Sequence, residues 1–169
     1  MDDLFKPEEK KRPINKLFIV AFVAALALVA VAIYLLSFKP PMEQQAAQIL
    51  EGSLREGTPD FAAANKDIII STDDNTVESP TGLGTISMYI KGNIKNRGSR
   101  NVTALEVNVS VINTKNEVLR EKRVLVVPLQ HPNLPPGETV PITLDIPGFS
   151  PNDDRANIRW KVTAIKFDK

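Results

Sequence analysis

Two alternating segments joined by a turn decide the fold, residues 84–112, "GTISMYIKGNIKNRGSRNVTALEVNVSVI". In each half, apolar residues occupy most of the alternate positions, and the residues between them are mainly polar. One dry face and one wet face are typical of a strand in an antiparallel sheet that covers a core on one side. Between the halves, "NRGSRN" (96–101) carries the Asn, Gly and Ser that tight turns use. The stretch therefore predicts two neighbouring antiparallel strands.

The same alternation continues toward the C-terminus, in "TVPITLDI" (139–146) and "NIRWKVTAIKF" (157–167). Turn residues separate these segments, and no helix of useful length fits after residue 67. This spacing predicts a mainly β fold, a seven-stranded antiparallel sandwich with two facing sheets. Pro141 lacks an N–H, so it is expected either in an edge strand or at a ladder position where the N–H is not required. The strands expected are Asp67–Thr72, Thr85–Lys95, Val102–Asn113, Val118–Leu129, Thr139–Ile146 and Asn157–Phe167, with one short strand not placed.

A run of 22 uncharged residues, Leu17–Phe38, lies near the N-terminus. As a helix rising about 1.5 Å per residue it would span roughly 33 Å, close to the hydrocarbon thickness of a bilayer. Fourteen of its residues are Leu, Ile, Phe or Val, which together favour insertion by roughly 4 to 8 kcal/mol. A cleaved signal has a shorter apolar region followed by small residues, whereas this run continues into "YLLSFKPP". We predict a retained signal anchor, a transmembrane helix that contacts the lipid bilayer from Leu17 to Phe38.

Charges at the two ends of this run predict its orientation. Five basic residues precede the run within residues 1–16, whereas only Lys39 follows it closely. Because basic residues stay on the cytoplasmic side, the N-terminus is expected in the cytoplasm. The expected location is the cell (inner) membrane, with a single span and a C-terminal domain that is periplasmic or otherwise extracytoplasmic.

Composition excludes several classes of site. The chain has 169 residues and no cysteine, which rules out disulfides, thiolate metal sites and a cysteine nucleophile. With five basic and four acidic residues in the first sixteen, the remainder carries 16 of each sign. A balanced charge gives no reason to expect nucleic acid as a partner.

The expected organisation has four parts: a cytoplasmic tail (1–16), the transmembrane helix (17–38), a linker with a short helix (39–65) and the sandwich domain (66–169). In the linker, "MEQQAAQILEGSLREG" (42–57) has apolar Ala46, Ile49 and Leu50 at helical spacing. It predicts a short, partly exposed helix. The following "TPDFAAANKD" is expected to break the helical pattern and lead into the first strand.

Several of these segments resemble a known family. "YIKGNIKNRGSRNVTALEVNVSVINTKNEVL", "LPPGETVPITLDIP" and "IRWKVTAIKF" look like the FxLYD-type, immunoglobulin-like domains of bacterial and archaeal membrane-anchored proteins. Gly92, Asn96 and the Leu134–Glu138 turn occupy the places of the family's pattern, over roughly residues 66–168. Where an aromatic-x-Leu-Tyr-Asp would stand, this chain has "VSVINTKNE". The resemblance implies a relative of the named family with an immunoglobulin-like sandwich outside the cytoplasm.

Few residues qualify as chemical sites. His131 is the single histidine, so any imidazole relay or metal site would depend on it alone, and "LQHPNLPPG" reads as a surface loop. Asp73-Asp74-Asn75 and Asn152-Asp153-Asp154 offer oxygen ligands but lack the spacing of a calcium loop, so solvated turns are expected. Trp160 is expected in the core between the sheets. We predict no catalytic residue, no metal site and no cofactor.

Two functions are compatible with these observations. The first is a non-catalytic interaction or accessory module, held outside the membrane by the anchor and bound to another membrane or envelope protein. The second is a small-molecule-binding or enzymatic domain on the same anchor, whose site the sequence does not reveal. The single histidine, the missing cysteine and the lack of a paired acidic constellation favour the first.

Overall fold

A computed structural model describes residues 16–37 and 42–168. The predicted cytoplasmic tail up to residue 15 and the end of the predicted span at Phe38 lie outside the described residues. The chain divides into two units after Gln44, and each unit is considered by itself.

The first unit contains the long helix α1, Lys16–Ser37. Its segment Lys16–Leu35 has a mean hydropathy of 2.9, and none of it is buried by protein. A helix of 22 residues is about 33 Å long, so it is long enough to cross a bilayer. The predicted N-terminal apolar helix is therefore confirmed, with the length and composition of a membrane anchor or a signal sequence.

The other unit contains two antiparallel sheets. Strand β4 is central in one sheet, with β7 on one side and both β2 and β3 on the other; the second sheet has the order β1-β8-β5-β6. The elements are α2 (Met42–Ile49), β1 (Leu54–Arg55), α3 (Pro59–Asn65), β2 (Ile68–Thr72), β3 (Val77–Pro80), β4 (Ile86–Asn96), β5 (Val102–Ile112), β6 (Val118–Val127), β7 (Thr139–Phe149) and β8 (Asn157–Phe167).

The described residues form eight strands, so the predicted count of seven is wrong. One additional strand, β1, comes from the stretch expected to be a linker, and two residues are too short to show a period of two. The predicted first strand is followed by a second short one, β3, and both pair with β4, at Gly92–Asn96 and Ile86–Tyr89 respectively. The six segments for which the sequence predicts strands are all strands.

Helix α3 corrects the expectation that "TPDFAAANKD" breaks helical structure. Thr58 is its N-cap, and the Thr58 hydroxyl oxygen accepts a hydrogen bond from the backbone N–H of Phe61 at 3.2 Å. Pro59 is preorganised for the first helical turn. Phe61 and Ala64 are buried in the core, so one face of α3 packs against it.

Alternation along the strands places one face of each sheet in a shared core. The predicted inward residues of β7, Val140 to Ile146, are buried, and the polar residues between them are more exposed. Strand β5 departs from strict alternation, because Ala104, Ser110 and Ile112 are also buried. Ala104 belongs to a second cluster, in which α2 and the residue after it cover the outer face of the sheet. That cluster contains Ala46, Ile49, Leu50, Ala104, Leu125 and Ala164.

A buried asparagine joins the two loops at one end of this unit. Asn96 is fully buried, and its side-chain nitrogen donates to the backbone oxygens of Arg100 at 2.8 Å and Leu134 at 3.0 Å. Its side-chain oxygen accepts the N–H of Gly98 at 2.9 Å. The turn near Leu134 is completed by Gly137, whose φ of +78° favours glycine. The side chain therefore ties the β4–β5 turn to the loop before β7.

Candidate functional site

One side of the sandwich is closed by side chains that bond to the edge of β7. Four side chains from β6 and the loop after it bond to backbone oxygens of β7. Such contacts occupy the acceptors that another strand would use. Pro141 lies in this edge strand, as its missing N–H predicts. The pairs are His131 Nε2 with Pro141 O (2.6 Å), Gln130 Nε2 with Thr143 O (2.9 Å), Lys122 Nζ with Asp145 O (2.8 Å) and Arg120 Nη2 with Gly148 O (2.9 Å).

The single histidine belongs to this closed edge. His131 lies in the loop after β6, as predicted, and its ring is half-buried. Its Nε2 is bonded to Pro141 O. In the described part of the chain, no group of three or more His, Cys, Asp or Glu side chains is placed to hold a metal ion. The contact gives His131 a structural role at the β7 edge.

The two acidic clusters are held within turns. Asp73 accepts hydrogen bonds from the backbone N–H of Asn75 at 2.9 Å and from its side chain at 2.7 Å, and these bonds lower the pKa of Asp73. Asp154 accepts from the Thr114 hydroxyl at 2.5 Å and from its N–H at 3.2 Å, which lowers the pKa of Asp154. Asp73 therefore stabilises its own turn, as predicted, whereas Asp154 joins the loop before β8 to the β5–β6 turn.

On the opposite side of the sandwich, Trp160 bridges the two sheets. The sequence predicts a core residue, but Trp160 is only partly buried. Its indole N–H donates to the Thr72 hydroxyl oxygen at 2.8 Å, so β8 of one sheet is bonded to β2 of the other. Its ring lies against Gly92 of β4, where a side chain would collide with it. Part of the ring therefore remains on the surface.

We expect Gly92→Ala to lower the free energy of unfolding by about 1 to 3 kcal/mol, because the site is already filled. An added Cβ would lie 2.7 Å from the backbone oxygen of Ser71 and 2.9 Å from the Trp160 ring. Trp160 is the single tryptophan, so denaturant unfolding of the full chain in detergent can be followed by its fluorescence. The native emission should also shift to longer wavelength as the ring is displaced.

The matched control is Gly82→Ala, since an added Cβ at Gly82 meets nothing within 4 Å. This variant should change stability by no more than about 0.5 kcal/mol. If the two variants have the same free energy of unfolding and the same emission maximum, the packing of Trp160 does not require glycine at position 92.

A second long-range contact, beyond Trp160, joins β3 to the loop that precedes β8. Arg155 precedes β8, and its guanidinium makes two parallel contacts with the carboxylate of Glu78 in β3, both 2.9 Å long. The guanidinium also donates to Ser150 O at 2.8 Å. The bonds from Arg155 lower the pKa of Glu78, and the same contact raises the pKa of Arg155. Because the pair is bidentate and anchored, it has a better geometry than an ordinary surface ion pair.

This ion pair makes part of the stability dependent on pH. Since the pKa of Glu78 is lower in the folded chain than its ordinary value of 4.5, the contribution is present above about pH 4.5 and is lost as the pH falls through the folded value. We expect Glu78→Gln to lower the free energy of unfolding at neutral pH by up to about 1 kcal/mol, since the carboxylate is partly exposed. In acid, the free energy of unfolding of the variant should equal that of the unmodified chain.

Denaturation curves from neutral to acidic pH measure this effect. Glu138→Gln serves as the control, because Glu138 is exposed and forms no ion pair within the described residues. A difference for Glu78→Gln that stays constant down to acidic pH would contradict the assignment.

The backbone edge of β8 is open on this side. Strand β8 pairs with β5 from end to end, but on its other side β1 pairs only with Ala164 and Ile165. Next to the open stretch lies a cleft of about 250 Å³, between α3, β2 and β8. Its lining residues are Asn65, Ile68, Ile70, Trp160, Lys161 and Val162.

Sequence reasoning missed both bridges and the open edge. Glu78 and Arg155 are 77 residues apart, and Thr72 and Trp160 are 88 apart, so no local spacing relates them. For the Trp160 contact, the sequence does contain one indication, which is Gly92. A glycine inside a strand pattern marks a place where another group approaches closely, and here that group is an aromatic ring.

Comparisons with known proteins identify no family. No protein-family description matches the sequence, and no curated protein is significantly similar to it. Among solved structures, a Bordetella pertussis protein described as ApaA is 26% identical, with a TM-score of 0.36, over 48% of this chain and 67% of that one. A target of the Northeast Structural Genomics Consortium is 11% identical, with a TM-score of 0.40, over 61% and 85%.

The trimeric lipoprotein SadB of Salmonella enterica is 15% identical, with a TM-score of 0.33, over 92% of this chain and 94% of that one. All three TM-scores are too low to support a conclusion about fold or function. The resemblance to FxLYD-type domains stays a prediction.

Proposed function

We propose that this chain is a single-pass membrane protein whose β-rich unit acts outside the cytoplasm as a non-catalytic interaction or accessory module of the cell envelope. The observation that carries the proposal is α1. Residues Lys16–Leu35 form an apolar helix that no protein covers, and a bilayer is the environment that removes such a helix from water. A membrane anchor beside a unit of two antiparallel sheets fits a module held near the membrane for contact with another protein.

The orientation in this proposal comes from charge. Five basic residues precede the helix within residues 1–16, and Lys39 alone follows it closely. The excess of basic residues favours a cytoplasmic N-terminus. The β-rich unit would then face the periplasm or the cell exterior.

The non-catalytic role is supported by what the titratable side chains do. His131 is bonded to the β7 edge, while Asp73 and Asp154 stabilise turns. Glu78 and Arg155 join β3 to the loop before β8. Each of these groups makes a contact that supports the fold, which favours a structural role for it.

We also infer an immunoglobulin-like arrangement. In the constant-type immunoglobulin domain, one sheet has the strand order A-B-E-D and the other C-F-G. The order β2-β4-β7 corresponds to A-B-E, and the pair β5-β8 corresponds to C-F. The position of strand G, beside β8, is occupied over only two residues by β1.

Affinity purification of the full chain from solubilised membranes tests the proposed function. We expect another membrane or envelope protein to co-purify in stoichiometric amount. In intact spheroplasts, a protease added outside should digest the β-rich unit. A chain that always purifies alone would refute the accessory role, and a β-rich unit spared by the external protease would refute the orientation.

A further inference from the structure

Strand β8 has an open backbone edge over residues 157–162. Within residues 16–37 and 42–168, no strand and no side chain of another element bonds to the backbone of residues 157–162 on the side away from β5. The one side-chain bond to this backbone is local, from the Ile158 N–H to the side chain of Asn157 at 2.7 Å. Six residues of strand, at about 3.4 Å each, give an open edge of roughly 20 Å.

The edge of β7, in the other sheet, differs from the edge of β8. An unpaired edge attracts unwanted strands, and proteins usually cover it. The chain covers the β7 edge with four side chains. The β8 edge lacks such a cover, although it is the position at which the matching immunoglobulin order would place another full strand.

We propose that the β8 edge accepts an extended segment of a partner protein in which apolar and acidic residues alternate, and that this segment adds as a strand beside β8. The proposal rests on the interaction role proposed above and assigns its site. Backbone hydrogen bonds would provide affinity, and alternate side chains would provide specificity.

Apolar residues of the added strand would point toward the cleft. The ring of Trp160 and the side chain of Ile70 line this cleft, and both are only partly buried. Side chains alternate between the two faces of a strand, so every second residue of the partner would reach this inner side. Covering a partly exposed aromatic ring with an apolar side chain removes apolar surface of both from water.

Acidic residues of the added strand would meet the outer face of β8, where Arg159 and Lys161 are exposed. The chain already contains one example of this contact. Directly after β1 leaves the edge of β8, Glu56 forms an ion pair with Lys161, with 2.8 Å between Oε1 and Nζ. Among the described residues, Arg159 has no carboxylate partner, and its guanidinium reaches only the side-chain oxygen of Asn116 at 3.4 Å.

The same charges argue against a second copy of this chain as the occupant. Two β8 edges paired antiparallel would bring Arg159 and Lys161 of one copy beside Arg159 and Lys161 of the other. Like charges across neighbouring strands are destabilising. The basic pair therefore discourages self-association while it favours an acidic partner.

A peptide-binding experiment on the full chain in detergent micelles tests the site. The probe is a ten-residue peptide of alternating valine and glutamate, and its control alternates valine and lysine. We expect the acidic peptide to shift the emission of Trp160, the single tryptophan, to shorter wavelength in a saturable way. It should slow amide hydrogen exchange at residues 157–162 and leave residues 141–148 unchanged.

The control peptide should bind roughly tenfold more weakly, because it places like charges beside the edge. The double variant Arg159→Glu, Lys161→Glu should reverse this preference. Both side chains are exposed, and unchanged hydrogen exchange in β4 and β5 would show that the variant is folded. Equal binding of the two peptides, or no response of Trp160 and of residues 157–162, would overturn the proposal. Protection of residues 157–162 that grows with protein concentration and needs no peptide would assign the edge to a second copy instead.

The double variant also separates this inference from the proposed function. Purified from membranes, it should lose the co-purifying protein that the unmodified chain retains. If the variant keeps that protein, the β8 site is wrong and the accessory role stands. If the unmodified chain has no such protein but still binds the acidic peptide, the accessory role fails and the peptide-binding edge stands.

Discussion

Replacing Leu26 and Leu28 with lysine is expected to release the chain from the membrane. Both residues lie near the middle of α1, where each charge costs about 2.5 to 3.5 kcal/mol on the insertion scale. The combined penalty of roughly 5 to 7 kcal/mol is comparable with the favourable contribution of all the Leu, Ile, Phe and Val residues of the span. Fractionation of cells followed by carbonate extraction of the membranes should show most of the variant outside the membrane pellet.

The matched control carries isoleucine at both positions, which keeps the length and apolar character of the helix. It should remain in the membrane like the unmodified chain. Retention of the lysine variant would refute α1 as the anchor. Mass measurement of the mature chain provides a second check, since a polypeptide that begins after Pro41 would identify α1 as a cleaved signal instead.

Replacing Asn96 with alanine is expected to lower the free energy of unfolding by about 2 to 4 kcal/mol. The change removes three hydrogen bonds at a fully buried position, and a buried polar group that loses its partner costs about 1 to 3 kcal/mol. Without these bonds the β4–β5 turn is no longer tied to the loop that contains Leu134. For a unit of this size, Tm should fall by roughly 10 °C.

Asn93→Ala is the control for this experiment. Asn93 lies on the same strand and is half-buried, and its side chain makes no hydrogen bond within the described residues. Its replacement should change the free energy of unfolding by no more than about 0.5 kcal/mol. Denaturant unfolding of the full chain in detergent, followed by Trp160 fluorescence, compares the two variants directly. Similar values for both would show that Asn96 does not join the two loops.

The contrast between Asn96 and Trp160 illustrates how far sequence reasoning reaches. The resemblance to a family pattern drew attention to Asn96 and Gly92, but a pattern does not say what a residue contacts. Trp160 was expected in the core because large aromatic rings usually fill one. It is partly exposed because it stands at the edge of its sheet and lies over Gly92 of the opposite sheet.

The residues at the start of α3 are typical of a helix N-terminus, although no helix is predicted there. Thr58 followed by Pro59 and Asp60 is a favourable beginning for a helix, with an N-cap, a proline in the first turn and an acidic residue near the positive end of the helix dipole. Strand β1 could not be predicted in this way, because a strand of two residues is too short to show alternation of apolar and polar side chains. Its existence depends on pairing with Ala164 and Ile165, more than a hundred residues away along the chain.

By itself, the sequence determined the long apolar helix α1 and six of the strands, β2 and β4 to β8. The helix follows from an uninterrupted apolar run, and the clearest strands follow from apolar residues at every second position; both patterns are local properties of the chain. Only the tertiary structure decided which strand edges are covered and which are open, and which distant residues contact one another. Strand order and register control those contacts, and an alternating pattern of apolar residues is compatible with many orders and registers.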